Sequence, residues 1–369
     1  MRLIFVVFFI AMLAILLASH LYVYLSVVRF FNLVSPLIKR MLAIILILLP
    51  ISFFVSTILI HYWENWFSRG LYFIAAGWLG LLASLLIFFT SGWLIFMVAE
   101  KIGLAEMRQL IGAAALILSF ALTGYGVWNG LSPVVRNINV KIKDLPLEWQ
   151  GKKVIQLTDV HLGAINGSAF IKNIVAEVNA LKPEAVFITG DYFDGMDGQL
   201  AELAKPLDEL NAPQGVFYIT GNHETYLGLQ SVFEALGKTK VKVLNDQSVD
   251  LSGLTLVGVE YPGDFNQKKN IPELLKRLNI KRPSILLYHE PRQIAEIAAT
   301  GLVDLMLTGH THNGQVWPVK YISRLVYGVY VTGLHKIGDF TEYTSVGTGT
   351  WGPPLRTGNR PEIVLITLE

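Results

Sequence analysis

Two imidazoles one residue apart, His310 and His312, sit in Gly309-His310-Thr311-His312-Asn313-Gly314, directly after the mostly apolar run 303–307. If that run is a strand, a turn at its end can aim both rings at one point, an arrangement that suits a metal ion. Four upstream segments share the design. Val154-Ile155-Gln156-Leu157-Thr158 leads into Asp159-Val160-His161, and Ala185-Val186-Phe187-Ile188-Thr189 into Gly190-Asp191. Val216-Phe217-Tyr218-Ile219-Thr220 leads into Gly221-Asn222-His223-Glu224, and Ile285-Leu286-Leu287-Tyr288 into His289. Short apolar, β-branched runs bounded by Gly, Asn and Asp read as buried strands, and ligands gather beyond the carboxyl ends of such strands. Five strands are therefore expected to deliver polar residues to one rim.

Asp159, His161, Asp191, Asn222, His289, His310 and His312 supply two carboxylates, one amide oxygen and four imidazoles. A single ion would not use seven protein ligands and leave room for substrate, whereas two ions sharing a bridging carboxylate would. A lone Asp after a strand is ordinarily a cap or turn residue. The histidines decide the matter: six of the eight follow Asn137, and five of these six stand at the strand ends, with only His335 elsewhere. The chain has no cysteine, which removes disulfides, thiolate metal sites and Cys nucleophiles. Mixed nitrogen and oxygen ligands without thiolate favour Mn, Fe or Zn.

The ordered blocks Asp-x-His, Gly-Asp, Gly-Asn-His-Glu, His and Gly-His-x-His resemble the calcineurin-like metallophosphoesterases, over about residues 154–368. The tail from Gly347-Thr348-Gly349 through Pro353, Arg356 and Pro361-Glu362-Ile363 resembles the membrane-attached branch of that family. The resemblance implies an α-β-β-α sandwich of two mixed sheets. It also implies one ion on Asp159, His161 and His312, a second on Asn222, His289 and His310, and Asp191 as the bridge. His223 would then be the catalytic residue at the phosphoryl oxygen or leaving group, not a ligand. Two positions depart from the branch. Asn313 stands in place of a glycine, which Asn tolerates because it accepts positive φ. Glu290 stands in place of an asparagine and adds a carboxylate beside the second metal. Asp194 and Glu224 are candidates to orient the imidazoles.

The elements that precede this domain are of a different kind. Residues 1–130 form a membrane region with four apolar stretches, about 3–28, 41–60, 71–99 and 109–128, each long enough to cross a bilayer core. Tyr62, Trp63 and Trp66 fit an interfacial aromatic belt, and His20 is expected to be a neutral imidazole bonded to a neighbouring helix. The first 137 residues contain three acidic and eight basic residues, so the remainder is mildly acidic and gives no sign of nucleic-acid binding. Arg29, Lys39, Arg40, Lys101 and Arg108 lie in the loops after the first and third stretches, against Arg2 and Arg69 on the other side. The positive-inside rule then puts both termini and the catalytic domain outside the cytoplasm, although Arg136, Lys141 and Lys143 argue the other way.

Residues 131–147 read as a connector that overlaps the start of a domain at 139–369. Helices are expected over 168–181, with Ser168 as N-cap, and over 199–210 and 227–236. Hairpins are expected around Ser252-Gly253 and over 326–332, with a closing strand over 363–368. The fold class expected is a multi-span helical membrane region followed by what the resemblance implies, an α/β metallophosphoesterase domain. The function expected of it is hydrolysis of a phosphodiester or pyrophosphate in a lipid-linked or membrane-proximal substrate. The alternatives are a phosphomonoesterase, or a non-catalytic receptor or transport regulator; the full ligand set speaks against the latter.

Overall fold

In the computed structural model, which describes residues 2–195, 199–263 and 269–369, the chain forms two compact units. One comprises the amino-terminal helices through Trp128 together with Gly352–Leu355, and the other comprises Asn129–Trp351 and Arg356–Glu369.

Four long helices come first: α1 (Arg2–Phe30), α2 (Pro36–Tyr62), α3 (Trp66–Lys101) and α4 (Arg108–Gly130). By length and hydropathy all four suffice to cross a membrane. They extend past the apolar stretches at every end, and capping residues hold the first turns of α2 and α3. Ser35 caps α2 ahead of Pro36, and Asn65 caps α3 in a reciprocal box with Ser68. Where the helices meet, the Phe30 ring lies tilted 4.2 Å from the Trp93 ring and stacks on the fully buried Phe89 at 5.8 Å. His20 accepts from Trp78 Nε1 at 3.0 Å and places Nδ1 2.7 Å from the Leu16 carbonyl. A carbonyl only accepts, so Nδ1 carries the proton and the imidazole is neutral, as expected.

The strands are β1 (Val134–Val140), β2 (Lys153–Leu157), β3 (Ala185–Thr189), β4 (Gly215–Ile219), β5 (Lys242–Val243), β6 (Gln247–Leu251), β7 (Leu254–Gly258), β8 (Ser284–Leu287), β9 (Leu305–Thr308), β10 (Gly333–Ile337), β11 (Phe340–Thr344) and β12 (Glu362–Leu368). They form two mixed sheets, in the orders β1-β12-β2-β3-β4-β5 and β10-β11-β9-β8-β7-β6. The helices of this unit are α5 (Ser168–Ala180), α6 (Leu200–Ala204), α7 (Asn222–Leu227), α8 (Leu229–Leu236), α9 (Ile271–Arg277), α10 (Ile294–Ala299) and α11 (Lys320–Tyr327).

Strand alternation explains the layers. Ala185 and Phe187 of β3 and Phe217 and Ile219 of β4 meet Ile285, Leu287, Leu305 and Leu307 of β8 and β9 in a core between the sheets. The intervening Val186, Ile188, Val216 and Tyr218 face the other way, against Ile171, Ile174, Val175 and Val178 of α5. Leu286 and Met306 likewise turn outward against α9 and α10. Strands covered on both faces must be apolar throughout, which is why these runs carry no polar alternation. β2, β3 and β4 are mutually parallel, as are β8 and β9, so each set ends on one side.

Several local expectations change. β1 lies inside the stretch read as a connector and pairs in parallel with β12. Gly167, not Ser168, caps α5. The helix expected over 199–210 is α6 followed by a 3-10 turn, Lys205–Glu209, since Pro206 cannot continue the α-helical ladder. The helix over 227–236 is broken at Gly228, whose φ is 91°. The hairpin at Ser252-Gly253 is present, joining β6 and β7. None forms over 326–332, where α11 and a 3-10 turn, Gly328–Val331, stand instead. The apolar residues there recur as Tyr321, Ile322, Leu325 and Val326, a helical spacing that the Val and Tyr between two glycines disguised.

Candidate metal centre

All five strand-end segments converge. Asp159, His161 and His312 bring ligand atoms together in one group, and Asp191, His289 and His310 form a second. His161 Nε2 lies 3.0 Å from His312 Nε2, and His312 Nε2 lies 3.3 Å from Asp159 Oδ1. In the second group Asn222 Oδ1 is 2.8 Å from His310 Nδ1 and 3.2 Å from His289 Nε2. Asp191 Oδ2 stands between the groups, 3.1 Å from His289 Nε2 and 4.0 Å from His161 Nε2.

The backbone is bent to make this possible. Asp159, His161, Asp191, His310 and His312 all have φ between 48° and 69°, a left-handed conformation that costs a non-glycine residue roughly 1–3 kcal/mol. Asn313 joins them at φ 48°, so the turn survives the loss of glycine there. Gly309 is required for a different reason: a Cβ on it would come within 2.2 Å of Asp159 Oδ2. That close approach lets the His310 N–H donate to both Asp159 oxygens at 3.0 Å. Gln156 ties the sheets beneath the rim, donating to Thr189 Oγ1 and to the Thr308 carbonyl.

The donor set fits cations. His289 Nδ1 lies 2.8 Å from the Thr189 carbonyl and must donate to it, leaving the lone pair of Nε2 directed at Asp191 and Asn222 oxygens. Lone pairs facing lone pairs need a positive charge between them, either a proton or a metal. Burial pushes His289 down, but Asp191 and Asp159 outweigh it and raise the group to about 10. Burial and then His223 lower His161 to about 3; burial and then His289 lower His310 to about 4. His312 is held well below the ordinary range by burial, His161 and Arg356. Three imidazoles thus stay neutral near pH 7, the form that binds metal. Burial also works on Asp191, yet the imidazoles of His289 and His223 hold it well below the usual carboxylate range.

His223 is set differently. Its Nδ1 donates to the Asp194 carbonyl at 2.6 Å, so Nε2 is the free nitrogen, and its ring packs against Tyr226 and Trp351. Asp194 stands beside two imidazoles, with Oδ1 3.3 Å from His161 Nδ1 and 3.9 Å from His223 Nδ1, but its carboxylate forms a hydrogen bond to neither. Burial raises its carboxyl to about 7. Glu224 serves a different purpose and accepts backbone N–H groups from Gly221, Asp191, Tyr192 and Phe193. Glu290 does approach His310, at 3.8 Å, but it is paired with Arg292 and accepts from Tyr327 Oη at 3.1 Å, so its charge is offset.

Arg356 is the functional neighbour that motif reading left without a role. It is fully buried, donates to the Gly349 carbonyl and sets Nη2 2.9 Å from His312 Nδ1, backing that ring. The tail motif singles it out, but its contact with His312 is not readable there because it spans 44 residues.

A rim of carboxylates and imidazoles, three of them neutral, on two packed mixed sheets has the architecture of a metal-dependent hydrolase. Residues 152–314 match the family described as Calcineurin-like phosphoesterase. An uncharacterized metallophosphoesterase of Helicobacter pylori is 35% identical over 280 residues, 73% of this chain and 74% of that one. The transmembrane protein with metallophosphoesterase domain of Danio rerio is 30% identical over 73% of this chain and 65% of its own length. Uncharacterized metallophosphoesterase YkuE of Bacillus subtilis is 30% identical over 71% of this chain and 96% of its own. The chain belongs to the calcineurin-like metallophosphoesterases, a family of metal-dependent phosphoester hydrolases, and its four apolar helices mark it as a membrane protein.

Proposed function

We propose that the protein is a membrane-anchored phosphoesterase with two divalent ions, cleaving a phosphodiester or pyrophosphate bond in a lipid-linked or membrane-proximal substrate outside the cytoplasm. The observation that carries this reading is Asp191, whose Oδ2 lies within reach of both imidazole groups. Asp159, His161 and His312 would hold one ion, Asn222, His289 and His310 the other, and Asp191 would serve both. Mn, Fe or Zn suits these ligands. When bound, the ions supply water activation at neutral pH and offset negative charge on the phosphoryl group.

The protein's own groups do the rest. His223 keeps its Nδ1 proton on the Asp194 carbonyl, which leaves Nε2 as the nitrogen available to a substrate. With Nε2 also protonated, the imidazolium would give that second proton to the departing oxygen and return to the neutral ring, its Nδ1 proton staying on the carbonyl, a role suited to imidazole. The Asp191 carboxylate accepts the His223 backbone N–H at 2.9 Å, so the acid and the metal bridge are held in one register. The rings of Tyr226 and Trp351 pack beside that of His223, at 5.1 and 6.0 Å between centroids. The membrane helices support a lipid substrate, since one span would suffice as a tether.

The test is hydrolysis by purified, Mn²⁺-loaded full-length protein of aryl phosphodiesters, aryl monoesters, nucleotide-sugar lipids and phospholipids. Turnover of diesters or pyrophosphate-linked lipids is expected. Activity confined to monoesters would overturn the proposal.

A further inference from the structure

The segment that follows the paired histidines leaves its apolar residues uncovered. α11 contains no buried residue, and Leu325 is 87% exposed, Ile322 62%, Val326 60% and Tyr321 55%. Trp317 and Val329 extend the patch on either side. Elsewhere in this unit helices do the opposite, as α5 buries Ile171, Ile174, Val175 and Val178. A contiguous apolar surface of this kind on a folded domain marks a docking face.

Charge selects the occupant. Residues 313–338 carry Lys320, Arg324 and Lys336 and no carboxylate, in a domain that is mildly acidic as a whole. An apolar helix face with basic residues beside it suits the headgroup layer of an anionic bilayer, where rings and aliphatic chains sink in and the cations stay at the phosphates. A bilayer is close by construction: β1 begins at Val134, and α4 ends at Gly130. We propose that α11, with Trp317 and Val329 at its two ends, is an interfacial helix that lays this unit on anionic lipid. The same helix reaches the metal centre. Tyr327 Oη bonds Glu290, and its ring lies 5.8 Å from that of His310, so lipid contact on the outer face is carried by one element to the rim of the site. This holds whatever ester the site cleaves.

The absence of cysteine makes the test direct. Full-length protein carrying Leu325→Cys, labelled with an environment-sensitive nitrobenzoxadiazole dye, is placed in nanodiscs of phosphatidylcholine with phosphatidylglycerol. The label is expected to shift to the blue and to be quenched by doxyl-labelled lipid, whereas a label at Glu273→Cys on α9 is not. Ile322→Glu, or Lys320→Gln with Arg324→Gln, is expected to cut that quenching at least twofold. A second copy of the chain is the other candidate occupant. It would shield the label without lipid quenching and give crosslinks between labelled positions. That result, or a water-like and unquenched label at 325 in a folded protein, overturns the proposal.

Discussion

Glu224→Gln tests how the metal centre is held open. Oε2 of Glu224 accepts from Asp191 N at 2.9 Å and Gly221 N at 2.7 Å, and Oε1 from Tyr192 N at 2.9 Å and Phe193 N at 3.2 Å. The carboxylate thereby locks the turn after β3 to the turn after β4 in a site where it is fully buried. Glutamine replaces one oxygen by an NH₂, so two backbone N–H groups lose an acceptor and meet a donor. Hydrogen bonds to a charged group contribute about 1.5–3 kcal/mol each, which puts the loss at roughly 3–6 kcal/mol. For a domain of this size 1 kcal/mol moves Tm by about 2–4 °C, so a fall of roughly 6 °C or more is expected. Because Asp191 moves with its own backbone, metal content should drop as well. Thermal unfolding of the purified protein in detergent and elemental analysis of the same sample measure both. An unchanged Tm together with full metal content would refute the argument that this clamp positions Asp191.

Other consequences can be checked separately. His223→Ala is expected to retain metal yet lower kcat by roughly 10²–10⁴-fold, less for nitrophenolate leaving groups, which need no proton; metal loss in the variant would make His223 a ligand. Glu342, buried beneath the rim against Thr308 and Thr344, is raised by burial from 4.5 to about 7. The folded state therefore holds this proton more tightly than the unfolded one. Its contribution is most favourable below pH 4.5 and is lost as pH rises to 7, on the order of 3 kcal/mol in all. Asp194 shifts the same way, so the Glu342 part is read as the difference between wild type and Glu342→Gln in Tm against pH, and parallel curves would contradict it. A reporter active only outside the cytoplasm, fused after Glu369, should be active, while a silent one would reverse the orientation.

The clustering of the candidate residues was legible because they lie beside the strand ends that carry them. A buried strand shows as an apolar run, and a rim residue must follow it immediately, so Asp159, Asp191, Asn222 and His289 could be read off in order. The sheet partners were not legible in this way. β1 contains Arg136, Asn137 and Asn139, whose exposed faces erase the apolar signal at the sheet edge. Glu224 stood next to His223 and suggested an imidazole partner, but its contacts are backbone groups that side-chain chemistry does not advertise. Arg356 reaches His312 across a turn of the chain that only the assembled sheets bring together. The helix at 320–327 was hidden because its apolar residues face outward, and no core periodicity connects them to the domain.

The central claim is a two-ion centre joined by Asp191. Wild-type full-length protein, loaded with Mn²⁺ and desalted, is expected to hold two ions per chain and to hydrolyse phosphodiesters. Asp191→Asn is expected to hold one ion or none and to be inactive, because a neutral amide cannot supply the charge that keeps two cations together. A single ion in the wild type, or two tightly held ions with near-normal turnover in Asp191→Asn, would contradict it.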